Sequence, residues 1–132
     1  MLRGLNHITL SVSHLDTSLT FYTKQLGFKG HVKWDDGAYL SLGDIWLCLS
    51  LGRPCEKTDY THIALTVEES AYATFVEKIR AAGVSEWKQN KSEGHSLYLL
   101  DPDDHKLEIH VGTLANRLES LKRKPYAGLV WL

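Results

Sequence analysis

The sequence predicts an α+β fold in which two β-α-β-β-β modules form a single domain. Three observations carry this. Strand-like alternation and helical periodicity succeed one another in the order β-α-β-β-β through the first half; the same order returns in the second half; and a short stretch containing glycine and proline separates them. A chain of 132 residues, 43% hydrophobic, suits one domain around one core.

The first strand is expected over residues 5–12, with Asn6, Ile8, Leu10 and Val12 on one side and Leu5, His7, Thr9 and Ser11 on the other. Residues 13–16 then offer helix N-caps, and Leu15, Leu19, Tyr22 and Leu26 recur at helical spacing until Gly27, which gives about three turns. Strands over 31–34, 38–42 and 45–50 follow, separated by the turn-forming Asp35-Asp36-Gly37 and Gly43-Asp44. Residues 51–59, with Gly52 and Pro54, link the halves. Residues 60–67 can be laid over 5–12, so that His62 falls on His7 at a separation of 55, with isoleucine, leucine and valine coinciding as well. A helix over 68–82 ends at Gly83, and strands fit 84–88, 96–100 and 106–111, with Asp101-Pro102-Asp103-Asp104 as the last turn. Modules 1–52 and 59–112 are followed by residues 113–132: a third helix through Leu114, Leu118 and Leu121, and an apolar tail, Gly128-Leu129-Val130-Trp131-Leu132, expected to dock on a surface.

Fifteen Lys and Arg against sixteen Asp and Glu leave a formal charge of -1, with no global basic field for nucleic acid or an anionic membrane. Any bound anion must be held locally. Cys48 and Cys55 are too few for a disulfide scaffold and are not spaced as paired zinc ligands, which points to the cytoplasm. No run approaches the eighteen apolar residues of a membrane span, and a soluble, non-exported protein is expected.

Three predicted strands each place a metal-capable side chain on a polar face: His7, its repeat partner His62, and Glu108 in the last strand. Two imidazoles and one carboxylate make an open metal site, with positions left for water or substrate. A single strand histidine is more often structural, but the shared register in both repeats favours the metal. The polar segment 87–96 reads most simply as a solvated loop, although its cations and hydroxyls suit a tetrahedral anion and its carbonyls a monovalent cation. Arg117 has the alternative of an ordinary surface charge. Core packing is the plain reading of Tyr39, Trp46 and Tyr98, and of Cys48 as a small hydrophobe. His110 shares the face of Glu108 and is placed to support it. His14, His31, His95 and His105 have no partner legible in the sequence.

Gly4-Leu5-Asn6-His7-Ile8-Thr9-Leu10, Asp59-Tyr60-Thr61-His62, Trp87-Lys88-Gln89-Asn90-Lys91-Ser92-Glu93-Gly94 and the segment from Leu99 through Asp101-Pro102-Asp103-Asp104-His105-Lys106-Leu107-Glu108 to Gly112 resemble the FosA-type fosfomycin glutathione transferases of the vicinal-oxygen-chelate superfamily. The resemblance runs to the tail, at Lys124-Pro125-Tyr126-Ala127-Gly128. It implies a cupped mixed sheet, and a homodimer that exchanges modules so that His7 meets His62 and Glu108 across it. It further implies Mn(II) at those three residues, K+ as activator, and glutathione as the thiol that opens the epoxide of fosfomycin. By the same resemblance, Thr9, Trp46, Lys88, Ser92, Tyr98 and Arg117 bind the substrate, with Thr9 and Tyr39 assigned to catalysis. Tyr39 would hydrogen-bond the thiol sulfur, with Trp34, Trp46 and Ser50 lining its entry. Asn90, Ser92, Glu93, Gly94 and Ser96 would form the potassium loop. Four features depart from the pattern: Asp104 replaces a turn glycine, Lys91 an arginine and His95 a smaller residue, and the linker is short. Aspartate tolerates the left-handed conformation well, so the turn is expected to persist.

Other chemistries share such a fold. A glyoxalase-type isomerase would want a fourth protein ligand where Trp46 or Cys48 stands. An Fe(II) ring-cleaving dioxygenase would have little need of Lys88 and Arg117, and a non-enzymatic drug-binding protein would not need the metal residues. A transferase using bacillithiol or cysteine is the nearest alternative, and the loop over 90–96 favours glutathione.

Overall fold

A computed structural model describes residues 1–91 and 94–132. The first module contains β1 (His7–Val12), α1 (Leu15–Thr20), β2 (Lys29–Trp34), β3 (Gly37–Leu42) and β4 (Ile45–Leu51). The second contains β5 (Ile63–Thr66), α2 (Glu69–Ala81), β6 (Glu86–Lys88), β7 (Ser96–Leu100) and β8 (Lys106–His110), and is followed by α3 (Leu114–Arg123). Each module forms a four-stranded mixed sheet of the same topology. The orders are β1-β4-β3-β2 and β5-β8-β7-β6, in which β1 with β4 and β5 with β8 are parallel and the remaining pairs antiparallel. The predicted α+β class and element order are therefore present. Within one chain the strands make two sheets of four, with β1 and β5 both at an edge.

Alternation explains the layers. In β1, Leu10 and Val12 are buried while His7 and Thr9 are exposed, so one face enters the core and the other stays open. Val12, Leu40, Leu49, Ile79, Leu99 and Leu107 are essentially inaccessible and belong to one core fed by both modules.

Some elements differ from expectation in instructive ways. The first helix changes at Phe21–Gln25 into a π-turn, with the Leu26 amide bonded to the Phe21 carbonyl at 3.3 Å. Neither Ser13 nor Asp16 caps it. Their side chains are spent on Asp103 and, at 2.7 Å, on Lys33. The strand expected from residue 60 begins only at Ile63, because the chain first turns through Thr61, whose amide donates to Asp59. Asp104 takes φ of 62°, the left-handed conformation expected of it in place of glycine. Thr113 caps α3 by accepting from the Asn116 amide, while the Asn116 side chain accepts from the Thr113 amide. In the single chain the apolar tail is not docked: Val130 and Trp131 are exposed, as are Leu114 and Leu118 on α3. Among the described residues, no helix is long and apolar enough to cross a membrane.

Candidate functional site

The residues singled out in the sequence gather on two open sheet faces. The first face lies on β1, β3 and β4. The parallel register sets His7 beside Trp46 and Thr9 beside Cys48, and the antiparallel one sets Tyr39 beside Cys48. His7 and Trp46 pack with tilted rings at 4.6 Å, Trp46 meets the edge of Tyr39 at 5.3 Å, and Tyr39 meets Trp34 at 4.7 Å. Trp34 seats itself on Gly37, where a Cβ would come within 2.3 Å of the indole, so this approach requires glycine. Ser50 ends the row. The core reading of Tyr39 and Trp46 is corrected here: both are more than a third exposed, because their strand positions alternate away from the buried leucines. Cys48 is partly buried on this face.

The second face lies on the other sheet, with Glu108 paired to Tyr98 and to Ala64, and Ser96 paired to His110. His62 Nε2 lies 3.0 Å from Glu108 Oε2, and both side chains are largely covered. The other carboxylate oxygen accepts the Ser96 hydroxyl at 2.6 Å, and Ser96 in turn contacts His110 Nδ1 at 2.7 Å. His110 therefore supports Glu108 through Ser96, so that the hydroxyl of this expected potassium-loop residue is directed at the carboxylate. Burial pushes the Glu108 carboxyl up, but the hydrogen bonds from Ser96 and His62, with the charges of His110 and His62, outweigh it, and it sits below its ordinary value. Lys88 extends over the rings of Tyr60 and Tyr98, at 4.6 and 4.8 Å, and donates to the Tyr60 hydroxyl at 2.5 Å. That bond holds the ammonium above its usual pKa. Tyr98 is buried, as the core reading expects, and burial with the Glu108 charge raises its phenol.

Arg117 projects from α3 into a groove of about 290 Å³ shared with Gly94, His110 and Asn116. In the neighbouring loop, the Asn90 side chain donates to the Gly94 carbonyl at 2.8 Å, and Gly94 has φ of 87°. Ser92 and Glu93, assigned by sequence to substrate and potassium, lie outside the described residues.

Both repeat-related histidines are prepared in the same way. His7 Nδ1 is 2.7 Å from the Asn6 side-chain oxygen and His62 Nδ1 is 2.8 Å from the Tyr60 carbonyl, so in each ring Nδ1 is the donor. At His62, Nε2 points toward a carboxylate oxygen, donating to it when protonated and offering its lone pair to a cation when not. Two lone pairs facing one another call for a proton or a metal between them, and a nitrogen and oxygen set of this kind fits a divalent cation. His7 does not join His62 and Glu108 within the chain. Among the described residues, no cluster of three or more metal-capable side chains is present. One chain thus carries two separated parts of the predicted site.

Sequence reasoning missed Tyr60 and Trp87. Tyr60 packs edge-on to His62 at 5.0 Å, and Trp87 packs against both His62 and Tyr98 while its Nε1 donates to the Leu107 carbonyl at 3.0 Å. The aromatic residues flanking His62 and Lys88 in the sequence were the available signal.

Comparison with known proteins places these observations. Residues 4–109 match the Glyoxalase/Bleomycin resistance protein/Dioxygenase superfamily. The glutathione transferase FosA of Serratia marcescens is 52% identical, the match covering 99% of this chain and 96% of that protein. The metallothiol transferase FosB of Shouchella clausii is 38% identical, covering 89% and 86%. Among solved structures, an E-to-Q mutant of the fosfomycin resistance protein FosX from Listeria monocytogenes, complexed with Mn(II) and 1S,2S-dihydroxypropylphosphonic acid, aligns with a TM-score of 0.82 at 29% identity, covering 89% of this chain and 99% of that one.

Proposed function

The chain belongs to the glyoxalase/bleomycin resistance protein/dioxygenase superfamily, and within it we propose a metal-dependent glutathione S-transferase that opens the epoxide of fosfomycin and so inactivates the antibiotic. The observation that carries this reading is the end-to-end identity of 52% with a glutathione transferase FosA.

His7, His62 and Glu108 hold the cation, Mn(II) in this reading. The prepared Nε2 atoms and the carboxylate held by Ser96 support that assignment. When bound, the metal supplies a Lewis acid for the oxirane oxygen as its C–O bond breaks. Lys88 and Arg117 hold the phosphonate by charge-assisted hydrogen bonds, with the hydroxyls of Thr9, Ser92 and Tyr98, and so orient the reacting carbon; Trp46 walls the substrate beside His7. A free thiol has a pKa of about 8.5, so only a few per cent is thiolate at neutral pH. Tyr39 donates its hydroxyl hydrogen bond to the sulfur and favours the anion, with Trp34 and Ser50 flanking the entry. The sulfur gives up its proton and forms the new S–C bond, the C–O bond breaks, and the released oxygen is protonated. Asn90, Ser92, Glu93, Gly94 and Ser96 form a loop for K+, whose charge compensates the phosphonate.

The site is completed by a second copy of the chain in a homodimer, and the position of the edge strands supports this. β1 carries His7 and β5 follows directly on His62, and each leaves one side of its backbone open to another strand. Joining β1 of one copy to β5 of the other unites the two faces into one cupped sheet.

Phosphorus NMR of the protein with fosfomycin, Mn(II) and K+, in parallel tubes holding glutathione, cysteine, bacillithiol or no thiol, tests the activity. A new phosphonate resonance that forms fastest with glutathione is expected. Equal reaction without thiol would make water the nucleophile, and no reaction in any tube with metal bound would remove the transferase reading.

A further inference from the structure

The most completely buried charged side chain among the described residues takes no part in the chemistry above. Asp101, whose side chain is inaccessible, accepts the Tyr22 hydroxyl at 2.7 Å, the His105 ring Nδ1–H at 2.7 Å, and the amides of Asp103 and His105, both at 2.9 Å. Tyr22 belongs to the first module and the other donors to the turn between β7 and β8 in the second. The next acidic residue in that turn reaches the same way: Asp103 accepts the Ser13 amide at 3.1 Å, the Ser13 hydroxyl, and more distantly the Ser18 hydroxyl at 3.4 Å. From the far side, the Lys78 ammonium of α2 donates to the carbonyls of Lys24 and Gln25 at 2.7 and 3.0 Å, closing the end of the π-turn that carries Tyr22. A π-turn is a costly departure from helix geometry, and here it presents Tyr22 to the other module.

We infer that Asp101, with Tyr22, Asp103 and Ser13, is a positioning joint that fixes the angle between the modules and thereby sets whether His7 of one copy can meet His62 and Glu108 of another. The inference rests on the shared-site reading. β1 starts at His7 and ends one residue before Ser13, while Glu108 lies three residues beyond His105. Six residues of strand are about 20 Å, so a rotation of about 5° at the joint displaces His7 by about 1.7 Å. Metal sites tolerate distance errors of only about 0.2 Å. Hydrophobic packing alone, being non-directional, defines the angle less sharply than directed hydrogen bonds to a buried carboxylate.

Mn(II) affinity of the dimer, measured by electron paramagnetic resonance of the free ion, reads this out at a temperature where every variant is folded. Tyr22→Phe keeps the ring and removes one donor. Ile79→Val, a core change that leaves every hydrogen bond of the joint in place, serves as a control for general destabilisation. The expected result is a Kd raised about 10-fold in Tyr22→Phe, as for loss of a group that orients metal ligands, with Ile79→Val unchanged. Equal affinity in Tyr22→Phe and wild type, or an equal loss in both variants, overturns the inference. Should Tyr22→Phe fail to fold, Ser13→Ala at the exposed end of the joint decides by the same criterion. Absence of Mn(II) binding in the wild type would instead sink the functional reading beneath it.

Discussion

Replacing Asp101 by asparagine keeps the volume of the buried side chain and removes its charge. The two amides can still bond the remaining carbonyl oxygen, but the new NH₂ group faces the Tyr22 hydroxyl and the His105 ring. Hydrogen bonds to a charged group are each worth about 1.5–3 kcal/mol, and breaking a buried pair costs about 3–5 kcal/mol, so a loss of about 3 kcal/mol is expected. For a chain of this size that lowers Tm by about 12 °C, read at fixed protein concentration. The pH dependence adds a second signature. The hydrogen bond to Asp101 raises the His105 imidazole above its ordinary 6.5, so its contribution is complete below that value and is lost as pH rises through the raised folded pKa. Burial pushes Asp101 up, but His105 and Tyr22 bring its net value below the ordinary 3.8, so its contribution is complete above that value and is lost as pH falls through the lowered one. Wild-type stability from this pair is therefore greatest between those two ordinary values, and Asp101→Asn flattens both slopes. Denaturant unfolding from pH 3 to 9 measures this. A loss under about 1 kcal/mol with unchanged pH slopes would refute the reasoning.

Ser96→Ala removes the hydroxyl that holds Glu108 at 2.6 Å and should weaken Mn(II) binding about 10- to 100-fold by titration; unchanged affinity would mean that Ser96 does not orient the ligand. Glu108→Gln removes the only anionic ligand proposed, and metal binding and turnover should both be lost; normal metal affinity in that variant removes the assignment. Arg117→Ala should raise the KM for fosfomycin about 10- to 100-fold while metal affinity holds, and an unaltered KM would count against its role at the phosphonate.

Much of this was legible because it is local or periodic. Alternation in β1 and the repeat at His62 separated the polar from the apolar strand positions, and the element order was legible from the same pattern. Asp104 was correctly read as a left-handed turn residue. What the sequence could not show depends on partners distant along the chain. Ser13 reads as a helix cap but is held by Asp103, 90 residues away, and Tyr22 reads as one more apolar position in a helix although its hydroxyl donates across the modules. Likewise the core reading of Tyr39 and Trp46 failed because alternation identifies two faces without saying which is covered. His62 and Glu108 meet within the chain although 46 residues separate them, and His7 stands apart from both on the other sheet, an arrangement that no periodicity encodes.

The claim that one active site is built from two chains can be tested by co-expressing His7→Ala with His62→Ala, each inactive alone, and following fosfomycin turnover with glutathione by phosphorus NMR. If sites are shared, half of the dimers pair the two variants, and each of these has one site with both changes and one with neither, so activity should return to about one quarter of wild type. Activity that stays at the level of the separate variants, in a preparation shown to contain mixed dimers, would mean that His7 and His62 do not work in a site shared between chains.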